Sequence, residues 1–455
     1  MHKHNLVWIA IFGVIALLFF RLPQMAAKQD AVVNTYSALV EVDALARQKY
    51  VEPIPGDRLV DGAIRGMLYQ LDPYSGYIAP DQLAAFERRA RGDFIGIGIE
   101  VGVRDERLTV IAPVEGSPAA AAGILPGDVI LAINGQDLER VSVFDAEKLL
   151  EAPTGATVQL RVQHVGRSEP ETLTVVCGPV NLHTVRGFRR DAEGNYMYMI
   201  DPVQGIGYMR ISNFLRNTVR DVDAVLFDLE RQGLRGLVLD LRFNPGGVLR
   251  QAIALVDRFV DDGVIVSTVT RRRAVQAYPA TRQGTITDVK LVVLVNAASA
   301  SAAEIVAGSL QALGRAVAVG ERTFGKGSVQ HLIHLTESGG AVKLTTAYYR
   351  LPDGRTIHRT RENAYTDSWG VIPNIEIVLS TEEHRAIRES RRMLDHAFVR
   401  LDAALQHQTN DTRTGGSAAH ESPEIQRDRQ LRKALELLRR PGSPQTFERE
   451  QPPGA

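Results

Sequence analysis

The spacing of apolar and polar residues changes character twice along the chain. Over residues 32–91 apolar side chains recur at helical intervals, in VVNTYSALVEVDALARQKY and again in DGAIRGMLYQL, which predicts helices. The segment LDPYSGYIAP, Leu71 to Pro80, carries prolines and a glycine and predicts an ordered turn. From Asp93 the pattern becomes the alternation of short strands: FIGIGIEV, RLTVIAPV, DVILAINGQDL, TVQLRV and ETLTVVC, with a hairpin near Gly166 and a short helix from Val143 to Leu150. These elements make a β-rich module over residues 93–180. From Gly205 strands and helices alternate. The segment GIGYMRIS reads as a strand, TVRDVDAVLFDLERQG as a helix and GLVLDLR (Gly236 to Arg242) as a buried strand. A helix from Leu249 to Val260, a strand from Lys290 to Asn296, a helix from about Ala302 to Leu313 and a strand at AVAVG follow. Continuous apolar strands between amphipathic helices predict a sheet covered by helices, an α/β core. Beyond about Val378 the chain is charged and helical. The stretch 406–423 is a polar linker, LRKALELL (Leu431 to Leu438) is a last short helix, and the final residues have a disorder-promoting composition.

One run breaks this soluble pattern. Leu6 to Phe20 (LVWIAIFGVIALLFF) is fifteen uncharged residues with no polar face, after Lys3 and before Arg21. That length suits a signal-peptide core and is short for a spanning helix. Ala27 could stand just before a cleavage point, but Met25 two residues earlier is not small. The run is therefore read as an export signal retained as a membrane anchor, with a buried core helix as the lesser alternative. It places the rest of the chain in the cell envelope, on the extracytoplasmic side of the inner membrane or secreted to the periplasm.

Composition narrows the partners. At 455 residues the chain needs two or three domains. Acidic and basic residues balance at 53 each, so no global field favours nucleic acid. Cys177 is the only cysteine, which excludes an intrachain disulfide and a cysteine metal site; its place at the end of TLTVVC suits core packing. No cofactor is expected.

Three segments carry candidate chemistry, and each alone has a bland reading. Ser301 stands where the strand LVVLV turns into the helix AAEIVAGSLQAL, at the sheet edge where open α/β sheets bind ligands. The N–H of Ala302, at the helix N-terminus, can meet a developing oxyanion. Yet Ser301-x-x-Glu304 also fits a capping box, and Ser299 competes for either role. Lys326 lies between Gly325 and Gly327; if GKGSVQ continues as a strand, Lys326, Ser328 and Gln330 share one face. A lysine acts as a base near neutral pH only where its surroundings favour the neutral amine, and most lysines are solvated. Asn244-Pro245-Gly246-Gly247 follows a buried strand and can offer unhindered N–H groups, or simply turn the chain. No H-E-x-x-H, G-x-S-x-G, Walker loop or dinucleotide fingerprint competes, and His331 and His334 lack metal-ligand partners by spacing.

Taken in order, the segments LDPYSGYIAP, FIGIGIEV, GSPAAAAGILPGDVILAINGQ, GLVLDLRFNPGG, NAASASAAEIVAGSLQ, GERTFGKGSVQ, YRLPDGRTI and GVIPNIEI resemble the carboxyl-terminal processing peptidases, or tail-specific proteases. The resemblance runs from about Val32 to Val378. It implies an α/β (α+β multidomain) fold, with a PDZ domain inserted ahead of a crotonase-like protease core. The expected parts are a signal or anchor (1–30), a helical region (31–92), the PDZ domain (93–180), the protease core (181–380) and a charged, partly disordered helical extension (381–455). It further implies Ser301 as nucleophile, Lys326 as general base 25 residues on, and Gln330 as the supporting amide. Glu304 stands beside the nucleophile, and the backbone of Gly246 or Gly247 and of Ala302 would supply the oxyanion donors. In the PDZ domain, Gly96-Ile97-Gly98-Ile99 resembles a loop that captures a chain terminus, with Ile97, Ile99, Phe144 and Leu149 suiting an apolar C-terminal side chain. The chain departs from the family at Glu151 and Ala152, where many members carry an Arg-Gly pair implicated in PDZ-to-protease signalling; this puts gating by the PDZ domain in doubt. The expected function is endoproteolysis of protein substrates with apolar C-termini, with a homo-oligomer left open. An inactive PDZ adaptor, or an acyl-CoA enzyme on the same core, are the rival readings.

Overall fold

The computed structural model describes residues 36–55, 57–91, 94–104, 106–138, 146, 149–150, 152–192, 194–396 and 423–440. The apolar run Leu6 to Phe20, the proposed linker from 406 to 422, Phe144 and Glu151 lie outside them. No helix among the described residues is long and apolar enough to cross a membrane.

The chain divides into two compact units, Met1–Ala79 with Leu332–Leu344, and Pro80–His331 with Thr345–Ala455. In the first, residues 36–49 and Arg58–Tyr69 are helical, as the apolar spacing predicts. The turn expected at Leu71 to Pro80 is only half a turn. Asp72 closes it by accepting the N–H groups of Tyr74 and Ser75, and Gly76–Ile78 is then a short strand pairing Gly76 with Lys343 and Ile78 with Ala341. Its partner lies some 265 residues away, so local composition showed the turn and not the strand.

The second unit holds the β-rich module and the α/β core. In the module, Ile99–Arg104, Arg107–Pro113, Val129–Ile133, Thr157–Gln163 and Glu171–Val176 form one antiparallel sheet, with Ile99–Arg104 at its edge. Alternation sets the burial: Val158, Leu160 and Val162 are fully buried while Thr157, Gln159 and Arg161 face out. Cys177 joins this core, and burial raises its thiol pKa.

The core sheet runs parallel through β1 (Ile206–Ile211), β2 (Gly236–Asp240), β3 (Lys290–Val295), β4 (Val317–Gly320) and β5 (Ile375–Glu376). Leu237, Leu239, Val293 and Val295 point to one face and pack with α1 (Thr218–Arg231), α2 (Leu249–Asp257) and α3 (Ala302–Ala312). Val238, Val292 and Leu294 point to the other, which α5 (Arg429–Arg439) covers with Leu431, Ala434, Leu435 and Leu438. The charged end of the chain is thus packed onto the sheet. Helix α4 (Thr381–His396) is also anchored by its charges. Arg391 pairs with buried Asp240, and Asp395 pairs with Arg186 and Arg210 and accepts from the Tyr196 hydroxyl. Burial opposes ionisation of Asp240, but Arg242 and Arg391 overcome it and hold the carboxyl well below the usual range.

Candidate active site

The site grows from the carboxyl ends of β2 and β3. After β3 the chain makes a tight turn before α3, and two side chains hold it. The Ser299 hydroxyl, fully buried, donates to the Leu241 carbonyl at 2.8 Å and accepts from Asn296 N–H at 3.0 Å. Asn296 Oδ1 accepts the N–H of Phe243 at 2.9 Å. Ser299 is therefore committed to structure, which separates it from Ser301.

Ser301 is half-buried with φ 57° and ψ −115°, a left-handed backbone that costs a non-glycine residue of order 1–3 kcal/mol. It is the N-cap of α3 and pairs with Glu304 in a capping box, so the bland reading of this serine is also true. The box is carried by the carboxylate, which accepts Ser301 N–H at 2.8 Å. The Glu304 N–H donates to the Ser301 carbonyl at 2.9 Å, and the hydroxyl makes no direct cap bond. A strained serine at a strand-to-helix turn is also how α/β-hydrolases present their nucleophile.

Glu304 does more than cap. Fully buried, its Oε2 accepts the N–H of Ser301 and of Lys326, both at 2.8 Å, so those backbone nitrogens are at most twice that distance apart. Its Oε1 accepts Gly325 N–H at 2.7 Å and the Thr323 hydroxyl, which in turn accepts Val371 N–H at 2.7 Å. Burial raises the Glu304 pKa, and the four donors work against that rise. One carboxylate thus ties two loops that sequence separates by 25 residues.

The Lys326 loop is pressed against residues 357–359. A side chain at Gly325 would meet Arg359 Cβ at 2.8 Å and the Trp369 ring at 2.9 Å; one at Gly327 would meet His358 N at 2.6 Å. The two glycines are there for close approach. Lys326 itself is half-buried, and Ser328–His334 is a strand. Gln330 and Ser328 do share a face: the amide Nε2 donates to Ser328 Oγ at 2.9 Å and to Thr345 Oγ1 at 3.2 Å.

The Asn244–Gly247 turn lies directly against Ser301. Asn244, fully buried, donates from Nδ2 to the Ile211 carbonyl at 2.8 Å, and its own carbonyl accepts Ala300 N–H at 2.9 Å. A Cβ on Gly246 would sit 2.8 Å from Ser301 Cβ and 2.9 Å from Ala302 N, so only glycine fits, and its φ of 100° asks for the same. The two glycines differ as donors. Gly246 N–H is taken by Asn244 Oδ1 at 2.8 Å. Phe214 bonds to the Gly246 carbonyl and the Val248 N–H in a parallel bridge, which turns the Gly247 peptide groups the other way. Gly247 is exposed, and its N–H has no acceptor among the described residues. Ala302 N–H is the first donor of α3, unmatched within the helix.

In the β module, Gly98 and Ile97 place their carbonyls on Ser117, Val114 and Ala119, while their N–H groups have no acceptor among the described residues. Ile97 is spent in the core; Ile99 and Leu149 are only partly buried. Ala152 packs at the margin of the same core. A link that the sequence did not announce joins module and core: Glu115 pairs with buried Arg190 at 3.1 Å, and Arg190 also donates to the Leu394 carbonyl of α4 at 2.9 Å.

Fold and site together define a serine hydrolase built on a parallel α/β sheet and joined to a β-rich binding module. Comparison with known proteins gives the family. Residues 205–377 match peptidase family S41, residues 84–163 the PDZ domain, and residues 21–82 the activating protease CtpB N-terminal domain. The chain is 34% identical to a carboxy-terminal-processing protease of Bartonella bacilliformis, with 89% of each chain covered. It is 34% identical to a carboxyl-terminal-processing protease of Synechocystis (84% and 83% covered), and 38% identical to one of Picosynechococcus (68% and 73% covered). The chain belongs to the S41 carboxy-terminal processing proteases and is a serine protease carrying a PDZ domain.

Proposed function

We propose that this protease cleaves exported proteins near their C-termini with a Ser301/Lys326 pair, after its PDZ domain has captured an apolar tail. The observation that carries the reading is the Glu304 carboxylate, which joins the backbone of the strained serine to that of the lysine. Neutral Lys326 takes the Ser301 proton as Oγ attacks the scissile carbonyl carbon. The oxyanion is met by the N–H groups of Gly247 and Ala302, with Gly246 as the hinge that brings them together. Collapse breaks the C–N bond, and the leaving amine takes the proton back from Lys326. Water, deprotonated by the same lysine, then releases the acyl group. With both Nε2 protons of Gln330 engaged, its Oε1 is the atom left to steady the lysine ammonium. No cofactor or metal enters this scheme.

In the PDZ domain the free N–H groups of Ile97 and Gly98 receive the terminal carboxylate, and the tail adds as a strand beside the edge strand Ile99–Arg104. The run Leu6 to Phe20 holds the enzyme at the membrane, facing the periplasm or exterior.

The test uses an unfolded reporter protein ending in an apolar tail, with cleavage followed by intact mass. Wild type is expected to cut it, and Ser301→Ala and Lys326→Ala to leave it whole; wild-type cleavage by either variant overturns the assignment. Replacing the apolar tail by a charged one should raise KM and leave kcat largely unchanged.

A further inference from the structure

Phe243, immediately before the Asn244–Gly247 turn, has φ 64°, a left-handed backbone. Glycine or asparagine would adopt it at little cost, whereas a bulky aromatic does so at a penalty. Something must hold it there, and the surroundings show what. Helix α4 lays three side chains on the ring: His384 edge-on at 5.8 Å and 83°, and the guanidinium carbons of Arg388 and Arg391 at 5.5 and 5.3 Å. The same side chains tie the ring to both sides of the site. Arg391 donates to the Arg242 carbonyl at 3.2 Å, one residue before Phe243. His384 Nε2 contacts Glu321 Oε1 at 2.8 Å, and Glu321 opens the loop that leads to Lys326.

We propose that Phe243 is a positioning residue for the oxyanion donors, its ring serving as the handle by which α4 fixes the turn. The path is short and continuous. Phe243 N–H is pinned by Asn296, the next residue Asn244 orients Gly246 through Oδ1, and the Asn244 carbonyl holds Ala300 beside Ser301. Without the ring, the turn keeps its glycines but loses its hold on α4. A plain packing role predicts something different: there, removing the ring costs the contacts with α4 and lowers stability, and kcat does not change.

The inference rests on the Ser301 reading above, and one set of kinetics separates the two. With the apolar-tailed reporter, Phe243→Asn, which removes the ring and suits the backbone, is expected to lower kcat about tenfold while KM stays within about twofold and Tm is unchanged or higher; full loss of an oxyanion donor costs about a hundredfold or more. Phe243→Tyr is expected to keep wild-type kcat. Arg388→Ala, from an exposed position, should lower kcat about threefold and so tests the handle even if the asparagine variant is unstable. Wild-type kcat in a folded Phe243→Asn, or in Arg388→Ala where the asparagine variant does not fold, overturns the inference. Cleavage by Ser301→Ala would instead overturn the catalytic assignment itself.

Discussion

The protease core and the PDZ domain are both small sheets with helices, but they are held together by different means. In the PDZ domain the work is done by ladders and aliphatic packing: Ile133, Val158, Leu160 and Val162 are fully buried, and a buried polar contact between Asp128 Oδ2 and His164 Nδ1, at 2.9 Å, stands beside them. In the core, buried polar side chains cross from loop to loop. Glu304, Asn244, Asn296 and Asp240 are all essentially inaccessible, and each bonds at least two separate segments. Aliphatic packing tolerates small changes, because neighbours re-settle. A buried carboxylate with several donors does not, because each orphaned partner costs its own desolvation. The difference places the demand for geometry where chemistry occurs.

The sharpest way to break that contrast is Asp240→Asn. Asp240 faces Arg242, Arg391 and the Tyr208 hydroxyl, and Arg242 reaches on to Asp428. Removing its charge leaves buried guanidinium groups short of a partner and should cost about 3–5 kcal/mol in denaturant unfolding of the core. The pH dependence follows from the lowered pKa. A carboxyl depressed in the folded state contributes stability above the ordinary value of about 4, and that contribution is lost as pH falls through the folded value. Wild-type stability should therefore fall below about pH 4, and the variant should show a weaker acid slope. A change under about 1 kcal/mol would mean the core is held like the PDZ domain after all.

Glu304→Gln moves the test into the site. The amide keeps the size but brings an N–H₂ against the backbone donors of Gly325 or of Ser301 and Lys326, so at least one contact turns repulsive whichever way it is placed. A displacement near 1 Å between Ser301 and Lys326 is enough for about a hundredfold loss of kcat, with reporter affinity for the PDZ domain unchanged. Equal kcat in the variant would show that the two loops find their register without the carboxylate.

The sequence showed the order of the core well, because buried parallel strands are continuous apolar runs and α1 and α2 are amphipathic; α3, expected to be amphipathic too, is instead buried on every side from Ala302 to Leu310. Ser301 and Lys326 were legible only in combination, since a cap and a surface lysine look the same residue by residue. What stayed hidden depends on side chains meeting across long separations. Arg391 and Asp395 fall in a stretch whose composition says only that it is charged and helical, yet they face Asp240, Arg186 and Arg210. Gly246 and Gly247 looked equivalent until the Asn244 side chain showed which N–H is spent. Nothing in RFNPGG announces that Phe243 takes a left-handed backbone.

The PDZ side of the comparison predicts small effects. Ile133→Val removes one methylene from its core and should cost about 1 kcal/mol, read as a lower midpoint for that domain while cleavage of an untailed peptide is unaffected. Smallest of all is the tie between the domains. Glu115 is about one-third exposed, at 35%, so Glu115→Gln should change stability by under about 1 kcal/mol. Its value lies in what else it can report. With Glu151 and Ala152 standing where the family's Arg-Gly pair is absent, the Glu115–Arg190 pair is the described contact that reaches α4, and α4 holds Phe243. If tail binding is signalled along that helix, the small loss in stability should come with a lower stimulation of kcat by apolar-tailed peptides. Unchanged stimulation in Glu115→Gln would mean the signal does not pass through this pair. No stimulation even in wild type would mean that the PDZ domain only delivers substrate and the two regions work side by side without exchange.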